Sequence, residues 1–379
     1  MRRLAGIVMV GLIFAACTPD TSEPPDDVVA TAAPSTAEPT ATPSPEITLE
    51  PTETCDGLGR PRPGGEVTFI SEGRLIAVSP TGENRRCLAE LADLSPIGAD
   101  ALRWNATGDR VLVSGRALST ELAATRKLAP SGEAAWSRPT GTSVVWLDDG
   151  KLVKRSSFGG RPADISFLAR HDAVTYHPAG THIATSGKGE NGSYGLYIAT
   201  NLGTEPQLIA RGEAANFISN LQFSEDGRFL HYDARHGPRN WHLHRLSMGD
   251  DPVLETIDKG ADPYEYVVSP IFPHELAWFE VGDCVAGEPG RFDNEFSKFQ
   301  IPEEMRAKNI HPIGWVTPSK LVVRVATTGC STAQPGDVYV LSQRAAPVLI
   351  AEENHGSVAV RMKMPPPPPP PGEEQEVIA

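Results

Sequence analysis

Continuous hydrophobicity is scarce in this sequence. The apolar run near its start covers only residues 4–16, and as a helix it would reach about 20 Å, short of the ~30 Å hydrocarbon core of a bilayer. Arg2 and Arg3 precede the run, and Cys17 follows it directly. These flanks predict a cleaved leader over residues 1–16 rather than a membrane-spanning helix.

Local catalytic motifs are also missing. The sequence contains no GxSxG nucleophile elbow, no HExxH zinc motif and no GxxxxGK[ST] phosphate loop. An enzyme whose site is assembled from distant parts of the chain would leave no local motif. The absence of these motifs therefore argues against an enzyme but does not exclude one whose site is assembled in that way.

Basic charge is scarce as well. The net charge is −14, and residues 18–54 hold eight acidic side chains with no Lys or Arg. A nucleic-acid-binding protein needs a basic face. The composition therefore predicts no nucleic-acid partner.

Two segments have few of the large apolar residues that a folded core requires. Residues 17–54 are rich in Pro, Thr, Ser, Ala and acids, which favours a disordered linker of up to ~115 Å. Residues 365–379 are seven prolines and an acidic end, which predicts a stiff rod of about 22 Å followed by a solvated tail. This tail is either a ligand for an aromatic groove on a partner or a stop that ends the last strand.

Two stretches, 173–210 and 220–258, repeat one pattern. Each begins with a strand that ends on an aromatic residue, Tyr176 or Phe223, and then turns at a glycine, Gly180 or Gly227, into a second strand. A third strand and a short fourth follow. Four strands in about 45 residues are the unit of a β-propeller blade, and several blades must stack around an axis to bury their faces.

The first hairpin of this pattern occurs six times, at spacings of 32 to 47 residues, as expected of a repeat protein. Its anchors are Trp104, Trp136, Tyr176, Phe223, Ser269 and Trp315. The pattern is weakest at 116–132, which fits third and fourth strands poorly.

The two ends of the body complete a seventh unit. Segments 66–71, 74–82 and 85–91 have the pattern of second, third and fourth strands without a first, and 357–363 is a lone alternating strand. We predict that 357–363 pairs beside 66–71 and closes the ring, which covers edges that invite aggregation. The sequence thus predicts an all-β, seven-bladed β-propeller over residues 55–364. A six-bladed ring with 66–91 as decoration is the alternative.

The sequence FSEDG at 223–227 and the run GLYIATNLGTEPQLIA at 195–210 resemble the TolB-like, WD-repeat-like propellers. The resemblance covers roughly 66–363 and is strongest at 173–258. It implies a fold and a habit of binding proteins or small ligands on the rims or in the axial channel. It implies no activity, because the repeat carries no chemistry of its own.

The sequence FAAC at 14–17 resembles the lipobox of bacterial lipoproteins, although Phe14 stands where Leu is usual. The resemblance implies cleavage before Cys17, acylation of that cysteine and a durable anchor on the extracytoplasmic side of a bacterial membrane. An ordinary secretory leader with a chance cysteine is the alternative.

Four further cysteines would then lie in an oxidising compartment, where disulfides persist. Cys284 and Cys330 each follow the anchor of their repeat by 15 residues, so they occupy equivalent places in neighbouring blades. Cys55 precedes the first body strand, and Cys87 lies on the outer strand of the same unit. Three connectivities are possible, and we predict Cys55–Cys87 and Cys284–Cys330. No CxxC spacing supports the rival use as a metal site.

Three histidines are the other candidate metal ligands. A symmetric loop at 234–239 would place His231 across from His242, with His244 on the same face. Three imidazoles on one face could hold zinc with an open position. The alternative, which we favour from the sequence, is that these rings fill the seam between blades, with no metal bound.

We therefore expect a monomeric, membrane-anchored binding or scaffold module for an envelope protein, without a cofactor. The predicted contact surfaces are the rim loops at 187–193 and 234–239 and the insertion at 283–310. The alternatives are an enzyme, a hydrolase or lyase, and a small-molecule sensor, each with its site in the axial channel.

Overall fold

A computed structural model describes residues 54–91, 102–119, 122–129, 134–211, 217–249, 251–270, 275–280, 290–295, 299–326, 335–354 and 356–362. All of them belong to one compact unit, 51–379. The predicted leader, Cys17, most of the linker and the proline-rich tail lie outside these ranges. Within them, no helix is long and apolar enough to span a bilayer.

The described strands form seven sheets arranged as the blades of a propeller, and neighbouring strands within a blade are antiparallel. Blade 1 contains β1 (Glu66–Ser71), β2 (Arg74–Val78) and β3 (Arg86–Glu90); blade 2 contains β4 (Leu102–Trp104), β5 (Arg110–Val113), β6 (Arg116–Ser119) and β7 (Leu122–Lys127). Blade 3 contains β8 (Ala134–Trp136), β9 (Ser143–Asp148), β10 (Lys151–Ser156) and β11 (Ala163–Asp164); blade 4 contains β12 (Arg170–Tyr176), β13 (His182–Lys188), β14 (Tyr194–Thr200) and β15 (Gln207–Arg211).

Blade 5 contains β16 (Ile218–Phe223), β17 (Phe229–Gly237), β18 (Asn240–Ser247) and β19 (Leu254–Gly260); blade 6 contains β20 (Tyr264–Val268), β21 (Leu276–Glu280) and β22 (Arg291–Asn294). A one-turn helix, α1 (Glu303–Arg306), precedes blade 7, which contains β23 (Asn309–Thr317), β24 (Lys320–Ala326), β25 (Gly336–Ser342) and β26 (Val348–Asn354). The last strand, β27 (Val358–Arg361), joins blade 1. We name the rim where the inner strands begin the top rim and the opposite one the bottom rim.

Most of the predicted repeat is confirmed. The anchors Trp104, Trp136, Tyr176 and Phe223 end the inner strands of blades 2 to 5, Ser269 directly follows that of blade 6, and Trp315 lies in that of blade 7. The weak segment at 116–132 supplies β6 and β7. Segment 283–310, predicted as a rim insertion, contains strand β22 and helix α1.

The anchor tryptophans link neighbouring blades. The indole nitrogen Nε1 of Trp104 donates to Thr68 Oγ1 at 2.8 Å, that of Trp136 to the Arg103 carbonyl at 2.9 Å, and that of Trp315 to the Val267 carbonyl at 3.4 Å. Each bond reaches the preceding blade. A buried indole needs such an acceptor. Each anchor tryptophan thus supplies both packing volume and a hydrogen bond to the preceding blade.

The repeat glycines are required where turns of neighbouring blades touch at the bottom rim. Gly180 and Gly227 have φ of +74° and +71°, a region that side-chain-bearing residues rarely adopt. A Cβ at Gly180 would overlap the Arg138 carbonyl, and one at Gly227 would overlap the His177 ring. These positions therefore exclude a side chain both by conformation and by space.

The predicted closure of the ring is confirmed, and the six-bladed alternative is wrong. Strand β27 pairs antiparallel with β1, with Arg361 opposite Glu66 and Val358 opposite Phe69. β27 thus supplies the inner strand that the N-terminal hairpins lack. The apolar side chains of blades 1 and 7 then form one core cluster.

A buried ion pair lies at this closure. Arg361 is fully buried, and its Nη1 lies 3.1 Å from Glu66 Oε2. Its other nitrogens donate to the carbonyls of Gly108 at 2.8 Å and Gly59 at 2.6 Å. Arg86 also binds the Glu66 carboxylate, at 2.8 Å. Burial lowers the pKa of Arg361 to about 10, and the Glu66 charge opposes that shift.

One of the two predicted disulfides is present. Cys55 and Cys87 are bonded, with their Cα atoms 4.5 Å apart. The bond attaches the start of the body to β3, the outer strand of blade 1, as predicted. Cys284 and Cys330 lie outside the described residues, so their pairing stays a prediction.

The register predicted for the blade 5 hairpin is wrong. Strand β17 continues to Gly237 and β18 begins at Asn240, so the turn is 238–239 and not a loop over 234–239. His231 consequently pairs with Arg245 rather than with His242. It is fully buried in the sheet. Burial first, and then the Arg245 charge, lowers the pKa of His231 to about 3.

We expect Glu66→Gln to destabilise the protein strongly, because it leaves the buried Arg361 guanidinium without its carboxylate. The cost of uncovering one member of a buried pair is about 3 to 5 kcal/mol. Urea unfolding of the purified body measures it. Asp164→Asn removes the carboxylate of the exposed Lys151–Asp164 pair, which should cost less than about 1 kcal/mol. Equal losses in the two variants would contradict the role assigned to the closure.

We expect His231 to make the folded state weaker in mild acid. Its folded pKa of about 3 lies below the ordinary value of 6.5, so the unfolded chain takes up the proton first as the pH falls. The free energy of unfolding is unaffected by this proton well above pH 6.5 and is lower by about 2 kcal/mol at pH 5. The measurement is the free energy of unfolding from pH 8 to pH 5.

His231→Gln should flatten this pH profile by that amount, although the variant is less stable at pH 8. His182→Gln alters an exposed histidine and keeps the buried imidazole, so it is the matched control. A profile that is the same in wild type and His231→Gln would show that the buried imidazole does not titrate on unfolding.

Candidate functional site

The inner strands of all seven blades surround an axial channel with a volume of about 610 Å³. This is within the size range of small-molecule sites. Most of the lining residues are apolar or aromatic, and charged residues from five blades lie among them: Arg103, Arg138, Glu225, Glu265 and Arg324. The channel surface is therefore charged in places, which the sequence pattern did not indicate.

Arg138 and Glu225 form an ion pair in the channel wall. Arg138 follows the inner strand of blade 3 and Glu225 follows that of blade 5, so the pair passes over blade 4 at the bottom rim. Burial raises the pKa of Glu225, and the Arg138 charge opposes the rise. The pair ties two non-adjacent blades together beside the channel.

Glu265 lines the channel and accepts a hydrogen bond from His311, with Oε2 and Nδ1 2.7 Å apart. The imidazole itself is fully buried and packs on the Phe279 ring, 4.3 Å between centroids. His311 therefore orients the Glu265 carboxylate from behind the wall. What this arrangement offers a ligand is a fixed carboxylate in the channel.

A second concave site lies at the bottom rim between blades 4 and 5. It has a volume of about 440 Å³, and we call it the bottom groove. Its apolar lining residues are Ile198, Ile209, Leu246, Met248 and Pro252. Blades radiate from the axis, so the gap between neighbours widens outward, and Ile198, Ile209 and Met248 pack there against the core cluster of blades 4 and 5.

Exposed apolar side chains are concentrated beside the bottom groove. Leu202 is 64% exposed, Val253 65% and Leu254 52%. Leu202 lies in the turn between β14 and β15, and the other two lie where the turn after β18 meets β19. Grouped exposure of this kind marks a surface for interaction with another molecule.

The top rim of blade 5 holds a histidine cluster that differs from the predicted one. His242 and His244 share a face of the sheet, as predicted, and the third ring is that of His236 rather than His231. One nitrogen from each ring lies within 4.8 Å of the other two. We call His236, His242 and His244 the histidine cluster.

Sequence reasoning missed His236 because it assumed a symmetric loop. Pro238 was the available signal, since proline favours the first central position of a tight turn and cannot donate to a ladder. In the observed register, Tyr232 pairs with His244 and Ala234 with His242, so simple alternation along β17 puts His236 on the face of these two histidines.

Comparisons with known proteins give no family for the chain. No family model matches it, and no curated protein matches it significantly. Solved structures that it resembles include a putative TolB from Agrobacterium tumefaciens, with 13% identity and a TM-score of 0.44 over 78% of this chain and 97% of that one. An oligogalacturonate lyase in complex with manganese has 9% identity and a TM-score of 0.49, over 71% and 82%.

The β-propeller domain of Myceliophteria thermophila Cps50 (Swd1) has 16% identity and a TM-score of 0.43, over 70% of this chain and 86% of that one. The structural neighbours thus include TolB-like and WD-repeat β-propellers. Similarity at this level carries no argument about chemistry or partners, and the fold itself follows from the seven sheets described above.

Proposed function

We propose that this protein is a binding module of the bacterial cell envelope that holds a protein partner in the bottom groove. The observation that carries the proposal is the concentration of exposed apolar side chains beside a groove whose lining combines apolar and polar side chains. Buried in a complex, such side chains supply most of the affinity, because a few central anchors dominate binding.

The charge of the groove favours one kind of partner. Glu205 lines it, and Asp251 lies exposed in the adjacent turn. A partner segment with an apolar anchor beside a Lys or Arg complements both features, since opposite charges at the rim of an interface steer association. The bottom groove thus replaces the top-rim loops as the proposed contact surface.

The location is part of the same proposal. The FAAC sequence at 14–17 and the acidic, proline-rich linker that follows support a propeller tethered through lipidated Cys17. The Cys55–Cys87 bond supports an oxidising compartment. A tether of this length lets the bottom groove reach partners some distance from the membrane.

We expect a photo-crosslinking amino acid at position 253 to capture one defined envelope protein in the bacterium that makes this chain. The same amino acid at position 158 is the matched control, because Phe158 is 62% exposed but lies on blade 3, away from the groove. With the captured protein purified, Val253→Asp should weaken binding about 30-fold, the effect of losing one hot spot of roughly 2 kcal/mol.

Phe158→Asp should leave this affinity unchanged. Capture that is equal at positions 253 and 158, or an affinity that Val253→Asp does not alter, would rule out the bottom groove as the contact surface.

We expect Cys17→Ser to release the protein from membranes. The variant should no longer incorporate an alkyne-tagged palmitate and should move from the detergent phase to the aqueous phase on partition, because one lost attachment site removes all acyl chains. Cys284→Ser, which removes a cysteine outside the FAAC motif, should keep the label. Label retained in Cys17→Ser would exclude this residue as the anchor.

A further inference from the structure

We propose that the histidine cluster binds a divalent transition-metal ion of the zinc class, with a coordination position left open to solvent. This site lies on the top rim of blade 5 and is independent of the bottom groove. Its three ligands would be His236, His242 and His244.

The spacing of the rings fits a shared ion. His236 Nε2 and His244 Nε2 are 3.2 Å apart, and two imidazole nitrogens on one tetrahedral zinc ion are about 3.3 Å apart for metal–nitrogen distances of 2.0–2.1 Å. His242 stacks on His236, with centroids 4.1 Å apart. His236 is exposed and His242 is half-buried, so small rotations of these two rings complete the set around the buried His244.

Neighbouring side chains fix which nitrogen faces the ion. Thr256 Oγ1 lies 3.3 Å from His244 Nδ1, and Asn240 Oδ1 lies 3.1 Å from His242 Nε2. These contacts leave Nε2 of His244 and Nδ1 of His242 as the ligand atoms. Ligating histidines almost always have such a partner on the second ring nitrogen, which sets the tautomer and the ring orientation.

One cation lies beside the histidine cluster, on the neighbouring strand β19. Lys259, paired with His242 across the ladder, is exposed and can turn its ammonium into water.

The donor set selects the class of ion and the coordination. Three imidazoles suit zinc, copper, nickel and cobalt, whereas magnesium and calcium require oxygen ligands. Three protein ligands with one exposed side leave a fourth position for water or a ligand atom, as in open zinc sites. Strand β17 carries His236 on the same face as Ala234, which pairs with His242, and so adds a third imidazole to the two on β18.

Titration of the full-length protein with Zn²⁺ by calorimetry tests the proposal. We expect one ion per chain, and a midpoint of thermal unfolding that rises as zinc is added. His236→Ala and His242→Ala alter exposed or half-buried positions, so the fold is retained, as circular dichroism checks. Each should weaken binding by more than 100-fold, and Thr256→Val by about 10- to 100-fold, the usual effect of losing a supporting contact.

His182→Ala is the matched control, since it removes an exposed histidine outside the cluster and should bind zinc as the wild type does. Absence of uptake by the wild type would overturn the proposal and leave a hydrogen bond between His236 and His244 as the whole function of the contact. Uptake that persists in the double variant His236→Ala/His242→Ala would overturn it too, by assigning the ion to other groups such as the cysteines.

Discussion

The propeller depends on one contact between strands from opposite ends of the body. Pairing of β27 with β1 makes the chain a ring, and Arg361 and Glu66 lie face to face in that pairing. Buried ion pairs add little net stability, but a slip that separated Arg361 from Glu66 would leave the buried guanidinium in the core without a carboxylate. A one-residue slip would also turn Val358 and Val360 to the wrong faces of the sheet. The pair thus specifies the register at the position where a ring is otherwise easiest to misalign.

Features set by a repeating pattern could be predicted from the sequence. The number of blades followed from the spacing of the anchors. Ring closure followed from a lone strand at one end of the body and three strands without a first strand at the other. The Cys55–Cys87 bond followed from the position of both cysteines in the same repeat unit. The strands are recognisable because some central ones, such as β9, are buried along most of their length and so form short apolar runs between turns.

Features that depend on the register of one hairpin or on contacts between distant residues were not predicted. His236 joins the histidine cluster because the turn is 238–239, which puts its ring on the face of His242 and His244. The Arg138–Glu225 pair joins residues 87 positions apart on non-adjacent blades, and their neighbours in sequence give no sign of it. The bottom groove is a gap between two blades, so its existence follows from the angle between sheets and not from either segment alone.

The disulfide has a mechanical consequence for the closure. Residues 56–65 lead from Cys55 to β1, and within them Gly59 gives its carbonyl to Arg361. Without the bond, tension applied upstream of residue 54 would pull residues 56–65 off blade 1. Arg361 would then lose the Gly59 carbonyl as an acceptor. Because Cys55 is bonded to Cys87, such a load passes instead into β3 at the outer edge of blade 1. Force applied through the N-terminal linker therefore does not open the ring at its closure.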